Sequence, residues 1–269
     1  MIKENSKEKF SFQIDGKEYI ISEKSRLQKK DQGKKINAPS LAIGAVISGI
    51  CIAAIIFGTE NISDDTQKLI ETQLVEEEIK QPQITTETFF ANTSPILGNP
   101  NAPITLVEFG DYQCHFCNVY FHNTEHKIFE NYVMEGKVNV IFKDYTIIGP
   151  DSLVAAHAAH CAGEQGKFWE YHNTLYNNWD GEETGWAGQE NVVRFAQENN
   201  LNMNQFLDCN NESKYQNLIA NSNSDAQSLG LTGTPAFFII SMNSQQVQTI
   251  SGAQPYEVFE RIFNSMLDT

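Results

Sequence analysis

A short apolar run leads straight into a cysteine pair, and that junction limits what the chain can fold into. Residues 104–109 read ITLVEF, are rich in β-formers, and stop at Gly110 and Asp111. Such a run predicts a buried strand. Cys114-His115-Phe116-Cys117 follows, then a stretch that predicts a helix to about Glu135, closed by Gly136. Residues 138–142, VNVIF, predict a second strand. Cys114 therefore falls where a strand gives way to the first turn of a helix.

Beyond Pro150 the strand signal disappears until about Leu229. Residues 152–162, 166–179, 190–199 and 203–208 predict helices separated by Gly, Asn and Asp clusters. Strands resume at 236–240, AFFII, and 246–250, QVQTI. A last helix is expected from near Pro255, with Val258, Phe259, Ile262, Phe263 and Met266 along one face. The order is strand–helix–strand, a helical block, then strand–strand–helix.

A thiolate, not a thiol, attacks a disulfide, so a redox cysteine needs a lowered pKa. The first helical turn supplies unpaired N–H groups and the positive end of the dipole, which favours Cys114 as the nucleophile. Cys117, one turn on, is placed to close a reversible disulfide with it. His115 can add positive charge or a hydrogen-bond donor beside the thiolate. Half of a zinc site and an inert structural bridge are the competing readings of one Cys-x-x-Cys. Zinc needs two further ligands. Cys161 and Cys209 are single, distant residues, and His122 and His126 read as helix surface. No metal and no cofactor is expected.

Three separated motifs, EFGDYQCHFC, AGEQGKFWEYH and GLTGTPAFF, resemble the DsbA-type thiol–disulfide oxidoreductases of bacteria and archaea, in the family's order over about residues 88–267. The resemblance implies an α/β thioredoxin fold with an inserted α-helical domain, at about residues 150–229. It also implies oxidation of exported proteins as the default activity. It makes Cys114 the surface-exposed nucleophile and Cys117 the buried resolving cysteine. Thr234-Pro235 matches the family's cis-proline turn, where the backbone of Thr234 would pair with an extended substrate. Glu108 matches an acidic residue that relays the proton of the buried cysteine. Lys143, at the end of the next strand, is its candidate partner, and a solvent-facing carboxylate is the plainer alternative. The chain departs from the family at His115-Phe116. The best-known oxidase has His just before the second cysteine, whereas Phe116 offers the thiolate no hydrogen bond. Cys161 and Cys209 resemble a second cysteine pair of some members, which implies a structural bridge within the helical block.

The N-terminal part divides by charge. Residues 41–58, LAIGAVISGICIAAIIFG, contain no charged side chain, and with their neutral flanks are about long enough to span a bilayer. Residues 1–38 carry ten Lys and Arg against six Asp and Glu, and the remainder nine against twenty-eight. The positive-inside rule then puts residues 1–38 in the cytoplasm, a transmembrane helix at 39–59, a polar stalk at 60–87 and the acidic body of 88–269 outside the membrane. A long leader and the lack of an A-x-A-like site argue against a cleaved signal peptide. Cys51, inside the span, reads as a small hydrophobe. Phe10, Phe12 and Ile14, then Tyr19 to Ile21 after Asp15-Gly16, suggest a small hairpin. Asn61, Asn92 and Asn211 head sequons, a pattern common by chance. An acidic body argues against nucleic acid as a partner.

The expected partners are exported proteins with thiols, a membrane reoxidase that passes electrons to a quinone, and the membrane itself through the helix. A reductase or isomerase is the alternative. Isomerases usually dimerise, and no dimerisation segment is visible, so a monomer is expected. A non-catalytic binding module is a third reading, against which the intact Cys114 and Cys117 argue.

Overall fold

Two sets of side chains leave the sheet on opposite faces, and their alternation fixes everything that follows. The computed structural model describes residues 84–244 and 246–268, together with strand residues 9–14 and 17–22. The uncharged run, Cys51 and the stalk as far as residue 83 lie outside the described residues, and no helix among the described residues is long and apolar enough to cross a membrane. Strand β3 (Ile104–Gly110) is buried at every position. It pairs in parallel with β4 (Val138–Asp144) and antiparallel with β5 (Ala236–Ser241), which pairs antiparallel with β6 (Gln246–Ser251). A strand covered on both faces reads as a continuous apolar run, which is why ITLVEF shows no polar alternation.

The two strands of the expected hairpin, β1 (Lys9–Ile14) and β2 (Lys17–Ser22), pair antiparallel, and Asp15-Gly16 between them lies outside the described residues. It extends the sheet to the order β2-β1-β6-β5-β3-β4, with a single parallel pair, Ser11 with Gln246, joining β1 to β6.

On one face, Ile104 and Leu106 of β3 pack with Val138, Val140, Phe237 and Ile239. Helix α2 begins at His115 and includes π-helical turns at Phe121–Glu125 and Phe129–Val133. Helix α8 (Tyr256–Leu267) covers the same face with Phe259, Phe263 and Met266. On the other face, Val107, Phe109, Phe238 and Ile240 pack with Phe89 and Ala226. Phe89 comes from α1 (Thr86–Phe90), a short helix that the polar preceding sequence did not announce.

Five helices stand between β4 and β5: α3 (Pro150–Gly163), α4 (Phe168–Asn177), α5 (Gln189–Glu198), α6 (Met203–Asn211) and α7 (Gln216–Ser228). In α3, Ala155, Ala156, Ala158, Ala159 and Ala162 are all buried, so small side chains let neighbouring helices close in on most of its circumference. Helix α7 was not expected as a separate element. Its sequence, QNLIANSNSDAQS, is poor in good helix formers, and it buries only Ile219, Ser222 and Ala226. Tertiary packing, not propensity, holds it in place.

Lys143 does not meet Glu108. Glu108 pairs with Phe142 across the β3–β4 ladder, and Phe109 pairs with Lys143. Because successive side chains alternate, Glu108 and Lys143 leave opposite faces. The Lys143 ammonium instead donates to the Ala91 carbonyl and pairs with Asp225 of α7 at 2.9 Å.

Cys161 of α3 and Cys209 of α6 are joined in a disulfide, 48 residues apart in sequence, while Cys114 and Cys117 are reduced thiols. In the chain-entropy model, a loop of this length adds roughly 4 kcal/mol to stability. Replacing both Cys161 and Cys209 with Ala should lower the unfolding free energy by about that amount in denaturant titrations. An unchanged midpoint and slope would show that the bridge does not constrain the unfolded chain.

Candidate redox site

The site is built where β3 ends. Gly110 is required there: a Cβ at this position would lie 2.4 Å from the Phe142 ring and 3.2 Å from Glu108 Oε1. Asp111 then turns the chain. Its carboxylate, almost fully buried, accepts from the backbone N–H groups of Gln113 (2.9 Å), Ile147 (2.8 Å) and Ile148 (3.0 Å). It thereby ties the active-site turn to the segment that enters the helical insertion. Burial raises the Asp111 pKa, and these donors oppose the rise. Gln113 makes a second tie. Its side chain donates to Ser152 Oγ at 2.9 Å and accepts from the Glu183 N–H at 3.0 Å, and its carbonyl accepts from Trp179 Nε1 at 2.8 Å. Asp111 and Gln113 went unrecognised in the sequence because their partners lie 36 to 70 residues away.

Cys114 is the N-cap of α2, and Cys117 lies in its first turn. The two sulfurs have opposite environments. The Cys114 thiol is lowered to about 6, first by a hydrogen bond with the Cys117 thiol. Burial opposes this, and Thr234 and the backbone N–H groups of Cys117 and Phe116 add to the lowering. As a thiol, Cys114 donates to the Thr234 carbonyl at 3.3 Å. The Thr234 hydroxyl is buried with no partner among the described residues, and so is available to donate to the thiolate. Cys117 is fully buried and its pKa is raised well above the ordinary thiol value, mainly by burial, then by Cys114 and by Glu108.

Cys114 is only 4% exposed. The resemblance implied an open sulfur; the Thr234 carbonyl instead sits directly against it. The Thr234–Pro235 peptide is cis, as expected. Phe116, at 59% exposure, is the most open apolar side chain of the motif. The His115 ring packs 5.5 Å from the Trp179 ring and 5.3 Å from Phe116, and its backbone N–H donates to Glu182 at 2.9 Å.

Glu108 lies on the α2 face of the sheet, 3% exposed, with Oε1 lacking a hydrogen-bond partner among the described residues. Its pKa is raised well above that of an ordinary carboxyl by burial first, then by Glu125 and Cys114. A carboxyl of this kind keeps its proton to higher pH than an exposed one and can exchange it with a neighbouring sulfur.

The fold and site together define a thiol–disulfide oxidoreductase of the thioredoxin class. A family model described as Thioredoxin matches residues 91–260, and the chain belongs to that family. Probable disulfide bond formation protein D of Bacillus cereus is 26% identical over 157 residues, covering 57% of this chain and 73% of that protein. Disulfide bond formation protein D of Bacillus subtilis is 33% identical over 95 residues, covering 35% of this chain and 43% of that protein. The crystal structure of Wolbachia pipientis alpha-DsbA1 is similar with a TM-score of 0.56 at 27% identity, covering 64% of this chain and 89% of that one. The chain is thus a DsbA-like protein-disulfide oxidoreductase.

The lowered Cys114 pKa has a signed consequence for the reduced protein. Below about 6 the sulfur is a thiol whether the chain is folded or unfolded, and it contributes no stability. The contribution grows as pH rises through that value and is complete above 9.0, where the unfolded thiol also ionises. Titrating thiolate absorbance in reduced protein should give one transition near 6, lost in Cys114→Ser and kept in Cys117→Ser. Cys117→Ala should shift it upward, because the largest lowering influence on Cys114 is removed. A first transition near 9 in the wild type would contradict the geometry.

Proposed function

We propose that this protein is an oxidase that donates the Cys114–Cys117 disulfide to exported proteins, with Cys114 attacked first and Cys117 released. The observation that carries this reading is the inequality of the two sulfurs: Cys114 is lowered to about 6 while Cys117 is raised well above the ordinary value. A substrate thiolate attacks Cys114 Sγ, the Cys114–Cys117 bond breaks, and the electron pair leaves on Cys117. Glu108 gives its proton to that sulfur. A second substrate thiolate then attacks the substrate sulfur of the mixed disulfide, and Cys114 departs as a thiolate. The substrate has lost two electrons and the enzyme has gained them. A stabilised Cys114 thiolate makes the reduced enzyme the better product, which favours oxidation over reduction of the substrate. The relatives named as disulfide bond formation proteins support the same direction.

Reoxidation would fall to a membrane partner that passes the electrons to a quinone. Thr234, whose carbonyl sits 3.3 Å from Cys114 Sγ, and the adjoining Pro235 are assigned to align the substrate backbone with the reactive sulfur. His115, next to the nucleophile, is assigned to the thiolate side of the reaction. Cys117→Ser should accumulate mixed disulfides with substrate proteins through Cys114, visible as adducts released by reductant. Adducts formed only by Cys114→Ser would reverse the two assignments.

The location belongs to the same proposal. The uncharged run at 39–59, with basic residues before it and acidic residues after it, supports a retained anchor with the catalytic body outside the membrane. That topology keeps residues 1–38 on the inner side and would forgo the pairing of β1 with β6, a junction of one residue pair against six for β3 with β5. Protease added to intact cells or spheroplasts should digest the body and spare the N-terminal segment. Protection of the body would overturn the assignment, and digestion of both would place the hairpin on the same side as the sheet.

A further inference from the structure

More polar atoms are buried beneath Cys117 than the protein satisfies. Glu108 Oε1, Glu125 Oε2, His172 Nε2 and the hydroxyls of Tyr120 and Tyr176 are all buried without a hydrogen-bond partner among the described residues. They come from three elements, β3, α2 and α4, and those of α2 and α4 meet. His172 Nε2 is 3.7 Å from Glu125 Oε1, and the Tyr176 ring lies 5.0 Å from the His172 ring. Both tyrosines are near enough to Glu108 and Glu125 to be affected by their charge. Buried polar groups are almost always paired with protein or with bound water. Five such groups around a sulfur that must gain and lose a proton call for partners that the described side chains do not supply.

Glu125 is the member of this set that reaches outward. Its side chain is 12% exposed while Oε2 is buried. It ends the π-helical turn Phe121–Glu125, and such turns inside helices often accompany functional sites. His172 is wholly buried and held from its other side, with Nδ1 at 3.1 Å from the Tyr112 hydroxyl. In the tautomer that accepts the Tyr112 phenol at Nδ1, the imidazole N–H is Nε2, which faces Glu125.

We propose that Glu125, oriented by His172, passes protons between bulk water and Glu108, so that Cys117 is served by two carboxyls in series. The proposal rests on the reading of Cys117 as the released sulfur. When Cys117 leaves as a thiolate, Glu108 gives it a proton and becomes a carboxylate. Glu108 recovers a proton from Glu125 through bound water, and Glu125 takes one from solvent. The sequence runs backwards when the dithiol is reoxidised, and no electrons move in it. Charge on Glu125 raises the pKa of Glu108, so the two carboxyls disfavour ionising together.

The titratable groups facing the two carboxyls are Cys114, Cys117 and Tyr120 of α2, Tyr112 of the turn, and His172 and Tyr176 of α4. His122 and His126 flank the Phe121 ring on α2, and Asp144 reaches the set through Tyr112. The Lys143 ammonium is on the other sheet face with Asp225, so it does not neutralise the pair.

The test compares Glu125→Gln with Glu108→Gln in the full chain. Oxidised protein is mixed with a cysteine-containing peptide, and the Cys117 release step is timed across pH. The protonated carboxyl band of the reduced protein is followed by infrared titration. Glu125→Gln should slow release roughly tenfold, less than the hundredfold or more typical of a group that hands its proton directly to the reacting atom. It should also lower the midpoint of the Glu108 band, because a like charge is gone. A slow Glu108→Gln beside a Glu125→Gln with wild-type rate and band midpoint would overturn the series arrangement and leave the Cys117 reading intact. Wild-type rates in both variants would overturn both. Should Glu125→Gln not fold, the wild-type band decides: two carboxyls titrating together support the proposal, and one alone contradicts it.

Discussion

One negative charge on Cys114 has to be held at the edge of an apolar core, and most of the molecule's construction serves that requirement. A thiolate in such a place is costly unless donors surround it. They come from the Cys117 thiol, from Thr234 and from the backbone N–H groups of Phe116 and Cys117. Each is brought in by a different constraint: the helix start, the turn before β5, and the rigid junction after β3. The second sulfur needs the reverse. Cys117 is buried with the carboxyl of Glu108 nearby, and it stays protonated until its proton has somewhere to go.

The helical insertion takes part in the site rather than sitting beside it. Cys114, Cys117, Phe121 and Phe142 share one buried cluster with α3, α4 and α5. Asp111 and Gln113 bind the cysteine-bearing turn to the insertion's first segment and to the loop after α4. The Cys161–Cys209 bridge then fixes α3 to α6. A change in the insertion is therefore felt at the sulfurs through packing and through these hydrogen bonds.

Much of this was legible in the sequence because it rests on local signals. The strand before the cysteines, the helix they start, the antiparallel pair β1–β2 and the apolar face of α8 all follow from periodicity and turn chemistry. What escaped depends on distant partners. Lys143 looked like a mate for Glu108, yet the β3–β4 register puts the two on opposite faces. Helix α7 has weak intrinsic preference and exists because Ile219, Ser222 and Ala226 are buried. Glu125 falls within the helix expected after the cysteines and His172 ends the motif AGEQGKFWEYH, but nothing local reveals that one faces the other.

The account stands on the claim that the Cys114 thiolate, by stabilising the reduced pair, makes the protein an oxidant. The direct measurement is the equilibrium reduction potential of Cys114–Cys117 against a glutathione buffer, with Cys161–Cys209 intact. The account predicts a value well above the roughly −270 mV of thioredoxin, toward the roughly −120 mV of a strong oxidant. A value at or below that of thioredoxin would contradict it.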